Sequence, residues 1–293
     1  MNGPRKGINY WSFREGTSAD EAVRLAAQAG YEGLEFCLAE EGAVSLTSTG
    51  RELTRIRDLA RDAGIGLPSL ASWLVWENNL VSDDARTRGR AMEIIRRQID
   101  VANALGAQTV LVVPGYVGVD FVSPSEVVAY DAAYGRALES IASLADHAAD
   151  AGVQIGVDNV WNKFLLSPLE MRSFLDEIGH PHVGAYFDIG NALLTGYPEQ
   201  WIRILGNRIR AVHVKDYRRS PGGFDSFVDL LSGDVDFPAV NRALSEIGYD
   251  GYISAEMMPP YRFHSDQLIY NTSAAMDRIF GWSSATRTQE RLT

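Results

Sequence analysis

Eight short apolar runs, each followed by a longer amphipathic stretch, recur along this chain from end to end. The runs fall at 7–11, 33–37, 66–71, 109–113, 154–158, 184–188, 210–214 and 252–256. They are continuously apolar rather than alternating, the pattern of parallel strands covered by helices. The stretches between them predict helices near 18–29, 48–63, 84–105, 124–151, 168–179, 199–206, 236–247 and 265–280. Helix starts are marked by Thr17-Ser18, Ser123-Pro124 and Ser167-Pro168, each with a carboxylate a few residues on. Glycine closes several helices, as at Gly30, Gly64, Gly106, Gly152 and Gly248, where a left-handed residue is wanted. Eight such units imply an α/β fold, a (β/α)8 TIM barrel over residues 1–281 as a single domain, with a polar tail over 282–293. An open doubly wound sheet is the alternative, but it usually carries a Gly-rich phosphate loop after its first strand, and the chain has neither G-x-G-x-x-G nor a P-loop.

The 293 residues are 46% hydrophobic and 22% charged, ample for a full core. The net charge of −11 and the lack of any basic run argue against nucleic acid, whose phosphates would be repelled. A single cysteine, Cys37, permits no intrachain disulfide and reads as a small buried apolar side chain. No apolar run of membrane-spanning length or signal-peptide type is present, so no membrane partner and a cytoplasmic location are expected.

Polar residues close four consecutive strands: Asp158, Asp188, His213 and Glu256. A buried polar strand end is costly without a partner. In a barrel all strand carboxyl ends open on one face. The four side chains are therefore expected to share one divalent metal ion. Three carboxylates with one imidazole form a mostly oxygen donor set, suited to Mn2+ or Mg2+, with Co2+ or Zn2+ as further candidates. Such an ion leaves positions for two adjacent substrate oxygens and acidifies the neighbouring C–H. Glu35, at the expected end of the second strand, is expected to face the four across the mouth and bond sugar hydroxyls. Trp11, Trp73, Trp76 and Trp161 are placed to screen the site from water. Lys215 is a candidate for a substrate oxygen or for Asp216, while Lys163, Arg218 and Arg219, with Gly222-Gly223, could bind a phosphate. His264 could reach the mouth; His147, His180 and His182 read as surface or loop residues.

At Val157-Asp158-Asn159-Val160-Trp161-Asn162, Tyr186-Phe187-Asp188-Ile189-Gly190-Asn191, Val212-His213-Val214-Lys215-Asp216 and Gly233-Asp234-Val235-Asp236-Phe237 the chain resembles the xylose-isomerase-like TIM-barrel sugar phosphate isomerases and epimerases. The ketose 3-epimerases and L-ribulose- or L-xylulose-5-phosphate 3-epimerase-like enzymes are the nearest branch, over roughly residues 7–281. The resemblance implies one metal ion, usually Mn2+, on Asp158, Asp188, His213 and Glu256. It implies Asp158 and Glu256 as the catalytic pair, on opposite faces of the substrate carbon, working through a metal-stabilised cis-enediolate. Glu35, Trp76, Trp161, Asn191, Lys215 and Arg218 are the expected substrate contacts for a sugar or sugar phosphate. Two departures stand out. Asp158 replaces the family's Glu, and Asn191 stands where some free-sugar epimerases carry a histidine. A carboxylate drawn back by roughly 1.5 Å, one C–C bond, can change a catalytic step strongly. A lyase on the same scaffold, a dehydratase or C-glycoside-cleaving subunit, is therefore the alternative, followed by a non-catalytic sugar-binding barrel. Homo-oligomers are common among such relatives.

Overall fold

The structure is a computed structural model that describes residues 3–121 and 125–282. Eight parallel strands form the barrel: Arg5–Asn9, Gly33–Ala39, Ser69–Ser72, Thr109–Val112, Gln154–Asp158, Val183–Asp188, Ile209–Val214 and Tyr252–Ala255. The sheet closes because the first strand pairs with both the eighth and the second, through Gly7↔Ser254 and Gly7↔Gly33 among others. A two-residue strand, Val44–Ser45, pairs with the end of the second strand, and Asp216–Tyr217 forms a small antiparallel pair with Phe227–Val228 outside the barrel. The expected (β/α)8 architecture is therefore the one observed.

Outside the strands lie α1 (Ala19–Gln28), α2 (Gly50–Asp62), α3 (Ala85–Leu105), α4 (Tyr130–Asp150), α5 (Pro168–Ile178), α6 (Ile189–Thr195), α7 (Pro198–Leu205), α8 (Phe237–Glu246) and α9 (Ser265–Phe280). Local chemistry sets their ends. Ser18 accepts from the Glu21 N–H at the start of α1, Thr49 and Glu52 form a reciprocal capping box on α2, and Ser167 caps α5 just before Pro168. No described helix is long and apolar enough to cross a membrane.

Several boundaries differ from the sequence expectation. The first strand stops at Asn9, because the Asn9 side chain accepts from the Trp11 N–H and turns Tyr10–Ser12 into a 3-10 helix. The fourth helix starts at Tyr130, not near 124; Val128 N–H instead donates to Val117, and Glu126 is committed to Asn79 and Ser82. The expected start at Ser123-Pro124 and the tail beyond Trp282 lie outside the described residues. The sixth helical region is two elements, α6 and α7, separated at Gly196-Tyr197.

Candidate active site

The expected strand-end residues are deeply buried: Asp188 and His213 are 0% exposed, Asp158 and Glu256 5%. Asp188, His213 and Glu256 each offer a ligand atom, and the three atoms lie within 4.8 Å of one another. His213 Nδ1 is 2.7 Å from Glu256 Oε2 and 3.9 Å from Asp188 Oδ2. Register accounts for the grouping, since Asp188 pairs with His213 and His213 with Ser254, two residues before Glu256. Asp158, the fourth expected ligand, lines the same cavity but lies outside that close group. Its side chain is a methylene shorter than the Glu of the resembled family.

Asp188 divides its two oxygens between structure and site. Oδ1 accepts from the Asn191 N–H at 2.7 Å and so caps α6. Oδ2 has no hydrogen-bond partner, nor do Asp158 Oδ1 and His213 Nδ1, although all are buried. Buried unpartnered polar atoms call for an explanation. Asp188 Oδ2 and His213 Nδ1, gathered with a Glu256 oxygen in the close group, form a donor set that fits a divalent cation, with Asp158 beside it. Lys215 Nζ enters the same space, 3.1 Å from Asp188 Oδ2 and 3.0 Å from Glu256 Oε1. The glycine of the Asp-Ile-Gly-Asn segment makes this approach workable, because a Cβ on Gly190 would meet Lys215 Cβ at 2.6 Å. Asp216 does not pair with Lys215; it accepts the backbone N–H groups of Tyr217, Gly233 and Val235.

Glu35 does not sit at the mouth. Its strand continues to Ala39, which places Glu35 inside the barrel with 0% exposure. Its Oε2 lies 2.5 Å from His213 Nε2 and accepts from Asn9 Nδ2 at 2.6 Å, while Oε1 accepts from the Tyr186 hydroxyl at 2.8 Å. Glu35 thus orients the imidazole so that Nδ1 faces the site, the part a carboxylate commonly plays behind a ligand histidine. Asn9 was not singled out in the sequence, and Tyr186 and Asn159 stood only within the motifs that carry the resemblance, with no role assigned; the Asn159 side chain holds the Asp188 backbone N–H and carbonyl at 2.7 and 2.9 Å. Beyond those motifs, their sequence signal is a polar group in or beside an apolar strand.

The charges are strongly coupled. Burial and the neighbouring Asp188 push the Asp158 carboxyl well above its ordinary value, against the pull of Lys215 and His213. Burial would also raise Glu256, yet Lys215 and His213 overcome it and hold that carboxyl down at about 2. Burial opposes a positive imidazole at His213, but Glu35 and Glu256 outweigh it and raise its pKa well above the usual range. Lys215 is likewise raised: burial opposes its charge, and Asp188 and Glu256 more than restore it.

Above these residues the cavity, about 60 Å3 in volume, is walled by Trp11, Trp73, Trp76, Phe121, Trp161 and Phe227. Trp76 and Trp161 therefore stand where substrate contacts were expected, as do Asn191 and Lys215. The Asn191 amide nitrogen is buried and unpartnered. Arg218 is not at the cavity; its guanidinium is exposed and donates to the Ser232 carbonyl. The other expected phosphate contacts do not converge either. Lys163 pairs with Asp120 at 2.6 Å, and Arg219 lies over the Tyr197 ring. His264 is exposed at the start of α9 and does not line the cavity.

Fold and site define an α/β barrel with a buried acidic and imidazole centre at its carboxyl-terminal mouth. The family description of the xylose isomerase-like TIM barrel matches residues 23–278, and the chain belongs to that family. An uncharacterised protein of Methanocaldococcus jannaschii is 30% identical over 183 residues, 61% of this chain and 60% of that protein's length. The L-ribulose 3-epimerase of Methylomonas sp. (strain DH-1) is 26% identical over 246 residues, 81% of this chain and 78% of the enzyme. Among solved structures, a D-psicose 3-epimerase crystallised in the presence of D-fructose superposes with a TM-score of 0.77 at 20% identity, covering 94% of this chain and 99% of the other.

Proposed function

We propose that the protein is a divalent-metal-dependent 3-epimerase acting on an unphosphorylated ketose, with Mn2+ as its ion. The observation that carries this reading is the pair of buried carboxylates, Asp158 and Glu256, lining one cavity beside the close group of Asp188, His213 and Glu256. Two carboxyl groups in one cavity can serve as base and acid for a proton exchanged between the faces of one carbon. Asp188, His213 and Glu256 would hold the metal, with Asp158 at its edge. Bound there, the ion would polarise the ketose carbonyl and acidify the adjacent C3–H.

Glu256, kept ionised, takes the C3 proton; the C–H electron pair moves into the carbonyl as an enediolate. Asp158, kept protonated, returns a proton to the opposite face of C3, and the configuration inverts. The Asn191 amide donates to a substrate hydroxyl, and the indoles of Trp76 and Trp161 keep bulk water from the carbanionic carbon. Among the described residues, Lys215 is held by Asp188 and Glu256, and Lys163, Arg218 and Arg219 are turned to other partners, which favours a free ketose over a phosphate ester.

The test is incubation of Mn2+-loaded protein with free ketoses in deuterium oxide. Label at C3 together with the epimer supports the reading. Loss of water from the substrate in place of epimer formation would show the lyase instead, and the absence of either would overturn catalysis. Asp158→Asn should lower wash-in by about 100-fold or more, in the range of general acid–base contributions.

A further inference from the structure

A second and larger hollow opens beside the catalytic cavity, over the loops that follow the first and second strands. Its volume is about 1550 Å3, and Trp11, Trp73, Phe224, Phe227 and Met258 border both it and the catalytic cavity, so the two adjoin. Pockets that enclose a drug-sized molecule usually occupy about 300–1,000 Å3. A single ketose held over the buried centre would leave this hollow unused.

The walls narrow the chemistry of what could extend into it. At the junction, Trp73 is 37% exposed and Phe224 44%, large aromatic faces bordering both hollows. Such rings present broad apolar surface, suited to the C–H face of a sugar ring. Farther out the lining turns to hydroxyls, Ser45, Thr47 and Thr49, and to carboxylates, Glu15, Glu41 and Asp225, the last three exposed. Carboxylates accept from vicinal hydroxyls and repel anions. Of the two guanidiniums on the wall, Arg55 is already held by Asp20 through two hydrogen bonds, 2.9 and 3.1 Å, which leaves Arg14 against several acids. A phosphate or carboxylate tail is mismatched to this surface; a neutral polyol matches it.

We propose that the hollow is a second sugar subsite, and that the favoured substrate is a ketose carrying a further neutral glycosyl unit. The ketose end occupies the cavity at Asp158 and Glu256, and the appended ring lies on Trp73 and Phe224 with its hydroxyls toward the loop carboxylates. This rests on the ketose reading above and names the substrate class for it.

Binding and catalysis separate the two claims. Titration calorimetry on the Mn2+-loaded Asp158→Asn variant compares isomaltulose, a glucosyl-fructose, with fructose. The disaccharide is expected to bind at least tenfold more tightly. Thr47→Trp, an exposed position on the wall of the hollow and remote from the buried centre, should remove that advantage and leave fructose binding unchanged. Ala43→Trp is the second blocking variant, so that a folding defect in one does not decide the result. Equal or weaker binding of the disaccharide overturns the subsite even if fructose is epimerised, and so does an advantage that survives both blocking variants. Absence of deuterium wash-in with every sugar, alongside a disaccharide preference abolished by the blocking variants, would remove the epimerase reading and leave the subsite standing.

Discussion

Glu35 has both carboxylate oxygens spent inside the barrel, so its contribution to any reaction passes through His213. Glu35→Gln keeps the shape and removes the charge facing the imidazole. Mutation of such outer partners commonly costs 10–100-fold in metal affinity. Mn2+ affinity measured by equilibrium dialysis should fall by about that factor in Glu35→Gln, and His213→Ala should retain no metal by elemental analysis. Unchanged affinity in Glu35→Gln would return Glu35 to a purely structural part. Asp158 makes the opposite case, because it lines the cavity but stands outside the close ligand group. Lengthening it in Asp158→Glu advances the carboxylate by roughly 1.5 Å. A shift of that size should change turnover by tenfold or more while metal affinity moves little. Equal changes in both would place Asp158 among the primary ligands.

At the scale of elements, the apolar runs located all eight strands because a buried parallel strand needs no polar face. The three close metal-type ligands were legible for a related reason: each stands at a strand end, where burial of a polar group is conspicuous. The supporting shell was less visible. Glu35 looked like a strand end because Phe36 to Ala39 continue a strand whose length the sequence does not mark, and α6 was hidden because Asp188 serves as ligand candidate and cap at once. Tyr186 reads as one more strand aromatic, yet it crosses the barrel to Glu35 and Ser69. Its path depends on the strand beside it, since a Cβ on Gly156 would lie 2.9 Å from Tyr186 Cβ. Gly156→Ala should therefore overpack the barrel, at about 1–3 kcal/mol. In a domain of this size that lowers Tm by roughly 2–12 °C in scanning calorimetry. Tyr186→Phe, which leaves the packing and removes only the hydroxyl, should lower Tm less.

For the molecule as a whole, the barrel encloses four carboxylates, Glu35, Asp158, Asp188 and Glu256, against one imidazole and one ammonium, His213 and Lys215. With every group ionised, two negative charges remain uncompensated in a buried volume, and a divalent cation is the matching complement. Metal should therefore act on global stability. The pH dependence follows from two shifts of opposite sign. Glu256 is depressed from 4.5 to about 2, so its contribution is present above 4.5 and lost as the pH falls toward 2. Asp158 is raised well above 3.8, so its contribution is present below 3.8 and lost as the pH climbs toward its folded value. Between pH 5 and 7 the Glu256 share is complete, and the raised Asp158 carboxyl weakens the metal-free protein progressively as the pH climbs. Mn2+ favours the ionised cluster, so the rise in Tm that it causes should increase across that interval. At a hundredfold excess over Kd the stabilisation is about 2.7 kcal/mol, readable by calorimetry with and without chelator. His213→Ala should flatten the response at every pH. A Tm increase that persists in this variant, or that does not change with pH, would mean that the ion binds elsewhere on the acidic surface and that the buried charges are balanced without it.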